Sequence, residues 1–156
     1  MNTPQPPAAA SPPAEHPDPI HRQRPAARAH GPEHWVRCLL EQDTSALNQL
    51  PAGLRRALLY MAAHYGVPIS AGQLADHAHV SVSHLRFLFR DRLGISFKLF
   101  LQRLRIAHAE RLLLASPPQR VTAVALSVGF NDLSHFEKCF RQIVGLAPGQ
   151  LRRARP

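Results

Sequence analysis

Apolar residues recur at helical spacing from Leu54 through Leu58, Leu59, Met61, Ala62 and Tyr65, until Gly66 and Pro68 end the run, as expected for one buried helix face. Ser70, with Gln73 three positions on, forms a capping box that opens a short helix carrying Leu74 and Ala75. A turn at His77–Val80 leads to a second short helix, started by Ser81, with Leu85, Leu88 and Phe89 on its inner face. Gly94, within the break Asp91–Ile95, stops it. Ser96 then caps a longer helix bearing Phe97, Phe100, Leu101, Leu104, Ala107, Leu112 and Leu113, which Pro117 and Pro118 end. Val121, Val124, Ala125 and Val128 predict a short helix up to Gly129. Asn131 or Asp132 caps a last one, whose buried stripe is Leu133, Phe136, Phe140 and Ile143 or Val144.

No segment alternates as a strand would, so the fold class is all-α, with about six core helices. The succession of short helix, tight turn and short helix occurs twice, at 70–90 and 121–143, with one long helix between. This is a tandem helix-turn-helix bundle. Residues 1–35 hold nine of the fifteen prolines and few large apolar side chains, which predicts a disordered proline-rich tail. Residues 36–53 read as a connector with a short helix around Val36–Glu41, broken at Pro51 and Gly53. The folded domain is expected over 54–156.

Charge sharpens this division. The chain carries a formal net charge of +9 and a pI near 11.2, an excess that attracts polyanions, nucleic acid first and an anionic membrane surface second. Residues 1–53 hold four Arg against five acids, whereas residues 54–156 hold fifteen Lys and Arg against five. The basic function therefore belongs to the helical part. Cys38 and Cys139, the only two cysteines, allow neither a disulfide framework nor a four-cysteine zinc site, and suit a reducing compartment. Without a long apolar run or a secretory leader, the chain is expected in the cytoplasm, on the nucleoid.

A helix-turn-helix unit seats its second helix in the major groove and needs a small residue where its helices touch, a permissive turn and an apolar inner face. Ala75, His79–Val80, Leu85 and Leu88 meet these demands in the first unit; Ala125 and Gly129–Phe130 do so in the second. A helix of about twenty residues is on the order of 30 Å long, close to the roughly 34 Å between successive major-groove faces on one side of a duplex. The long helix from Ser96 would hold two reading heads one turn apart, on an asymmetric site of about twenty base pairs. Outward positions on the heads include Ser83, His84, Arg86 and Arg90, then Ser134, His135, Lys138 and Arg141. Arg90, Arg92, Arg103, Arg105, Arg141, Arg152 and Arg153 are expected at phosphates, which set affinity without specifying sequence.

The run ISAGQLADHAHVSVSHLRFLFRDRLGISFKLFLQRLRIAHAERLLL (69–114) and the run VTAVALSVGFNDLSHFEKCFRQIVGLAPGQLRR (121–153) resemble the DNA-binding domain of AraC/XylS-like transcriptional regulators. The second run is the more diagnostic, and the combination of Arg105 and Ala109 before Leu112–Leu113, then Ala125, Gly129–Phe130, Ser134, Phe136, Phe140–Arg141, Gly145, Pro148 and Arg152, is highly specific. The resemblance implies base contacts from Ser83, Arg86 and Phe87 on the first reading helix, and from Leu133, Ser134, His135 and Lys138 on the second. Three residues depart from the family pattern. Phe87 replaces a commonly basic residue, Leu133 a commonly polar one, and His79 a small turn residue. The partners implied are double-stranded DNA and RNA polymerase, which such a regulator recruits or blocks.

Residues 1–53 are too short and proline-rich for a sensing domain, so no small-molecule effector is expected. The chain reads as a minimal regulator or as the carboxy-terminal part of a longer one. His135 and Cys139 stand four apart and His77 lies near His79, yet neither set supplies three or four metal ligands. No metal, cofactor or membrane partner is expected. No catalytic site is expected either: Asp76, Asp91, Glu110, Asp132 and Glu137 fall on helix surfaces or caps. One other class of function stays open on these residues, a basic helical protein-interaction adaptor with only non-specific DNA affinity.

Overall fold

The computed structural model describes residues 30–117 and 119–154. The order is α1 (Pro32–Leu40), a 3-10 turn (Ala46–Gln49), α2 (Ala52–His64), α3 (Ala71–Ala78), α4 (Val82–Leu88), α5 (Phe97–Leu114), α6 (Val121–Ser127), α7 (Leu133–Val144) and α8 (Pro148–Arg153). Between α4 and α5 the helix widens into a π turn, Phe89–Leu93. The expected disorder of the tail falls on residues 1–29, outside the described ones.

Two buried clusters share one spine. The first gathers α1 to α4 against Phe97, Phe100, Leu101 and Leu104 of α5; the second gathers α6 and α7 against Ile106, Ala109 and Leu113 of the same helix. Because α5 serves a different core with each half, its buried positions do not form a single stripe. The first four of these residues place the first unit, and the last three place the second.

Helix α1 revises the expected end of the tail at residue 35. Pro32 stands at the helix start with Glu33 in the first turn, where a missing amide donor costs nothing and a fixed φ favours the helix. A proline that counts toward disorder in composition here begins order. Trp35, 2% exposed, with Val36 and Leu39, joins the first core, and the back of α1 is tied to α5 by an Arg103–Glu33 ion pair and by Arg111 Nη1 donating to Leu40 O at 2.8 Å. The connector is packed as well. Asp43 Oδ1 accepts from the Ser45 amide at 3.1 Å, and the following 3-10 turn buries Leu47 completely.

One smaller expectation shifts, and two local features become definite. Leu59 and Leu133, placed on inner faces by spacing, are each 39% exposed, because a heptad-like count cannot tell the edge of a stripe from its centre. The closing segment is a helix, α8, with Pro148 buried. Asp132 rather than Asn131 caps α7, accepting from the Ser134 amide at 2.8 Å.

Candidate nucleic-acid interface

The local chemistry of the first unit follows its sequence. Ser70 Oγ accepts from the Gln73 amide at 3.2 Å while Gln73 Oε1 accepts from the Ser70 amide at 3.1 Å, satisfying two donors that a helix start leaves open. At the other end of α3 the chain turns through His79, at φ 56° and ψ 45°, and the Val80 amide reaches back to Ala75 O at 3.1 Å. Ser81 Oγ then caps α4 by accepting from the His84 amide at 3.1 Å.

The second unit repeats this frame fifty residues on. Ala125 stands for Ala75, Gly129 at φ 92° for His79, and the Phe130 amide bonds Ala125 O at 2.9 Å. One extra residue then enters the turn, so the correspondence continues at fifty-one. The caps Ser81 and Asp132, the helix starts Val82 and Leu133, the helix ends Leu93 and Val144, and the left-handed glycines Gly94 (φ 74°) and Gly145 (φ 88°) all match on that offset. On the buried face Leu85, Leu88 and Phe89 answer to Phe136, Cys139 and Phe140.

All seven expected base-reading residues lie on the outer faces. Ser83, Arg86 and Phe87 are exposed on α4, and Leu133, Ser134, His135 and Lys138 on α7. Arg86 and Arg90 border a groove between α4 and the start of α5 together with Lys98, a cation the sequence reading passed over. Its place two residues after the Ser96 cap is the signal that finds it. Ser134, Lys138 and Arg141 line a second groove along α7, with Glu137 and Gln142. Between the units runs an open cleft of about 500 Å³, bordered by Lys98, Gln102, Asn131 and His135 over Phe97, Leu101 and Phe130. The one-residue shift brings two further positions into register with expected readers: His84 with His135, and Glu137 with Arg86.

The arginines expected at phosphates divide. Arg90 and Arg141 are exposed and match each other at the ends of the reading helices, and their side chains make no hydrogen bond or ion pair among the described residues. Arg92 Nε lies 3.1 Å from Asp91; Arg152 Nη1 and Arg153 Nε make long bonds to Gln119 O (3.4 Å) and Gly149 O (3.2 Å). Arg103 is taken up by Glu33. Arg105 turns inward: Nε donates to Tyr65 O at 2.7 Å and Nη2 to Val67 O at 2.9 Å, and burial pulls its guanidinium below the ordinary value.

Arg105 thereby locks the units together. The α2–α3 loop, the spine and the second turn meet at its guanidinium, since a side chain on Gly129 would stand 2.9 Å from Arg105 Cζ. A side chain on Gly66 would likewise stand 2.9 Å from Ser127 O at the end of α6. Tyr65 stacks on His108 of α5 at 3.8 Å between ring centroids, and burial, with Arg111 nearby, lowers the His108 pKa below its ordinary value. Gln102 Nε2 donates to Cys139 Sγ and joins the spine to α7. The two outer faces are thus held as one surface.

No group of three or more His, Cys, Asp or Glu among the described residues could hold a metal ion, and no helix among them is long and apolar enough to cross a membrane.

A family model described as a helix-turn-helix domain matches residues 74–154. An uncharacterised HTH-type transcriptional regulator of Staphylococcus aureus is 34% identical over 123 residues, which are 79% of this chain and 16% of that protein. The chain therefore spans a small part of that relative's length. Among solved structures, a probable AraC family transcriptional regulator from Rhodopseudomonas palustris CGA009 is 34% identical, with a TM-score of 0.63 over 68% of this chain and 100% of that one. The DNA-binding domain of AdpA, a global transcriptional factor solved in complex with a target DNA, is 25% identical, with a TM-score of 0.60 over 67% of this chain and 93% of its own. With the model matched over more than half of the sequence, the chain belongs to the helix-turn-helix domain family and holds an HTH-type transcriptional-regulator domain.

Proposed function

We propose that this domain is an AraC/XylS-type, sequence-specific reader of double-stranded DNA that lays α4 and α7 into successive major grooves and, from a promoter, recruits or blocks RNA polymerase in the cytoplasm. The observation that carries it is the repeated unit itself: two helix-turn-helix frames, matched from cap to terminal glycine, fixed on one helix with their polar faces outward. The spine has 18 residues and hence a length of about 27 Å at 1.5 Å per residue, of the order of one duplex turn. Ser83, Arg86 and Phe87 on one head, and Leu133, Ser134, His135 and Lys138 on the other, face base edges. Arg90, Arg92, Arg141, Arg152 and Arg153 lie against phosphates, whereas Arg103 and Arg105 act within the fold. Likeness to a domain solved on its target DNA supports the reading.

The test is a salt titration of binding to a selected duplex and to its scrambled counterpart. Both affinities fall with salt, by a slope of about −0.9 per neutralised phosphate. A reader keeps a large ratio between the two duplexes throughout. Equal affinities at every salt concentration would leave only a basic surface and refute the proposal.

A further inference from the structure

Resting on that reading, we propose that the two heads recognise the same short base element, one copy in each groove, and that the copies are told apart at the adjoining base pair, where Phe87 meets a thymine methyl and Lys138 a guanine.

The case starts from the backbone. The two reading helices start directly after their caps, at Val82 and Leu133, and both are α-helical through Leu88 and Cys139, before the first widens into its π turn, so over these seven residues a side chain on one has a counterpart at the same height and angle on the other. At the first three positions the chemistry is the same. Val82 and Leu133 are apolar, Ser83 is matched by Ser134, and His84 by His135. The early residues of a reading helix are those that reach base edges, and a hydroxyl followed by an imidazole offers the same donors and acceptors in both places. Equal groups at equal positions select equal bases.

One helical turn further the heads diverge: Arg86 and Phe87 on the first stand against Glu137 and Lys138 on the second. Phe87 is the informative member. Six of the seven phenylalanines are at most 5% exposed, and Phe87 is 58% exposed, with the His84 ring as its one aromatic neighbour among the described residues, at 6.1 Å between centroids. It packs no core, and its place on the outer face beside Arg86 points it where a base pair would lie. The apolar group that a major groove presents is the thymine methyl. Lys138 at the matching position donates to guanine O6 and N7, the acceptors it suits best.

Selection of duplexes from a random pool by the full chain tests this directly. The expected outcome is a bipartite motif in which one short element recurs with centres about ten base pairs apart, flanked by thymine in one half and guanine in the other. A bipartite motif built of two unrelated elements would overturn the inference while leaving the reader intact; a pool that enriches nothing would sink the reader itself. Replacing thymine by deoxyuridine removes only the methyl, and at the Phe87 position it should weaken binding about fourfold. The same replacement should leave Phe87→Lys unaffected, and that variant should now select guanine in the first half. Equal sensitivity of the two proteins to deoxyuridine would overturn the assignment. So would indifference of both to it accompanied by a change of oligomeric state in Phe87→Lys, since Phe87 would then be a protein contact. Thermal unfolding of the variant, expected unchanged at so exposed a position, keeps the comparison between folded proteins.

Discussion

Replacing Gly129 by alanine strikes the point where both units and the spine meet. Two costs arise. At φ 92° a side chain lies in the left-handed region, a penalty of roughly 1–2 kcal/mol. The new methyl would also stand 2.9 Å from Arg105 Cζ and 3.0 Å from its Nε and Nη2, which are the atoms bonded to the Tyr65 and Val67 carbonyls. Displacing them weakens two charge-assisted bonds, each worth about 1.5–3 kcal/mol when well formed, though solvent reaches Arg105 and favours the lower figure. Gly129→Ala should therefore cost about 2–4 kcal/mol in all.

A double-mutant cycle separates the causes. In an Arg105→Ala background the steric conflict is gone and only the backbone penalty of roughly 1–2 kcal/mol is left, so the two substitutions should be sub-additive by on the order of 1–2 kcal/mol. Urea unfolding of the four proteins, with slopes compared to confirm equal surface exposure, measures this. Additivity within about 0.5 kcal/mol would show that the close approach to Arg105 carries no energy and that the clamp is misassigned.

His79, also left-handed at φ 56° and with an exposed side chain, should tolerate glycine with a gain of up to about 1 kcal/mol in unfolding free energy; a loss would mean the imidazole makes a contact that matters. Trp35→Ala should cost about 3–5 kcal/mol, whereas Trp35→Phe should be milder, since the indole N–H finds no acceptor among the described residues. Calorimetry of the pair checks whether α1 is part of the domain's core or an appendage. His108 has a folded pKa below its ordinary 6.5, so the unfolded chain binds the proton more tightly. The stability that neutral His108 contributes is complete above pH 6.5 and declines as pH falls from there toward the folded pKa. His108→Phe should flatten that acid slope, and an unchanged slope would assign it elsewhere.

Much of the fold was legible because it rests on local chemistry. Ser70 with Gln73, Ser81 and Ser96 announce helix starts through bonds they make within three residues, and Gly129 announces the turn. What escaped depends on distant or subtle geometry. Arg105 and Arg103 look like any surface cations, since a carbonyl acceptor forty residues away leaves no mark on the sequence and Glu33 lies in a segment dominated by proline. The first turn of helix α1 was hidden by the same prolines, whose meaning depends on whether they precede a helix or interrupt one, whereas its later part, Val36–Leu40, falls in the short helix expected around Val36–Glu41. The correspondence of His84 with His135 needs the single inserted residue in the second turn, which a fixed spacing cannot follow. The outward faces of α4 and α7 were readable because Leu85, Leu88, Phe136 and Phe140 fix the inner ones.

The divided allegiance of α5 bears on how the molecule comes apart. Among the described residues, its amino-terminal half is anchored in a core of twenty buried residues and its carboxy-terminal half in one of ten, so the smaller cluster has less apolar burial to resist opening. Amides of α6, α7 and the last turns of α5 should exchange with solvent deuterium through a shared excursion of lower free energy, while those of α2 and the first turns of α5 wait for the whole chain to melt. One continuous rod would then carry two protection classes, with the boundary near Leu104 and Ile106.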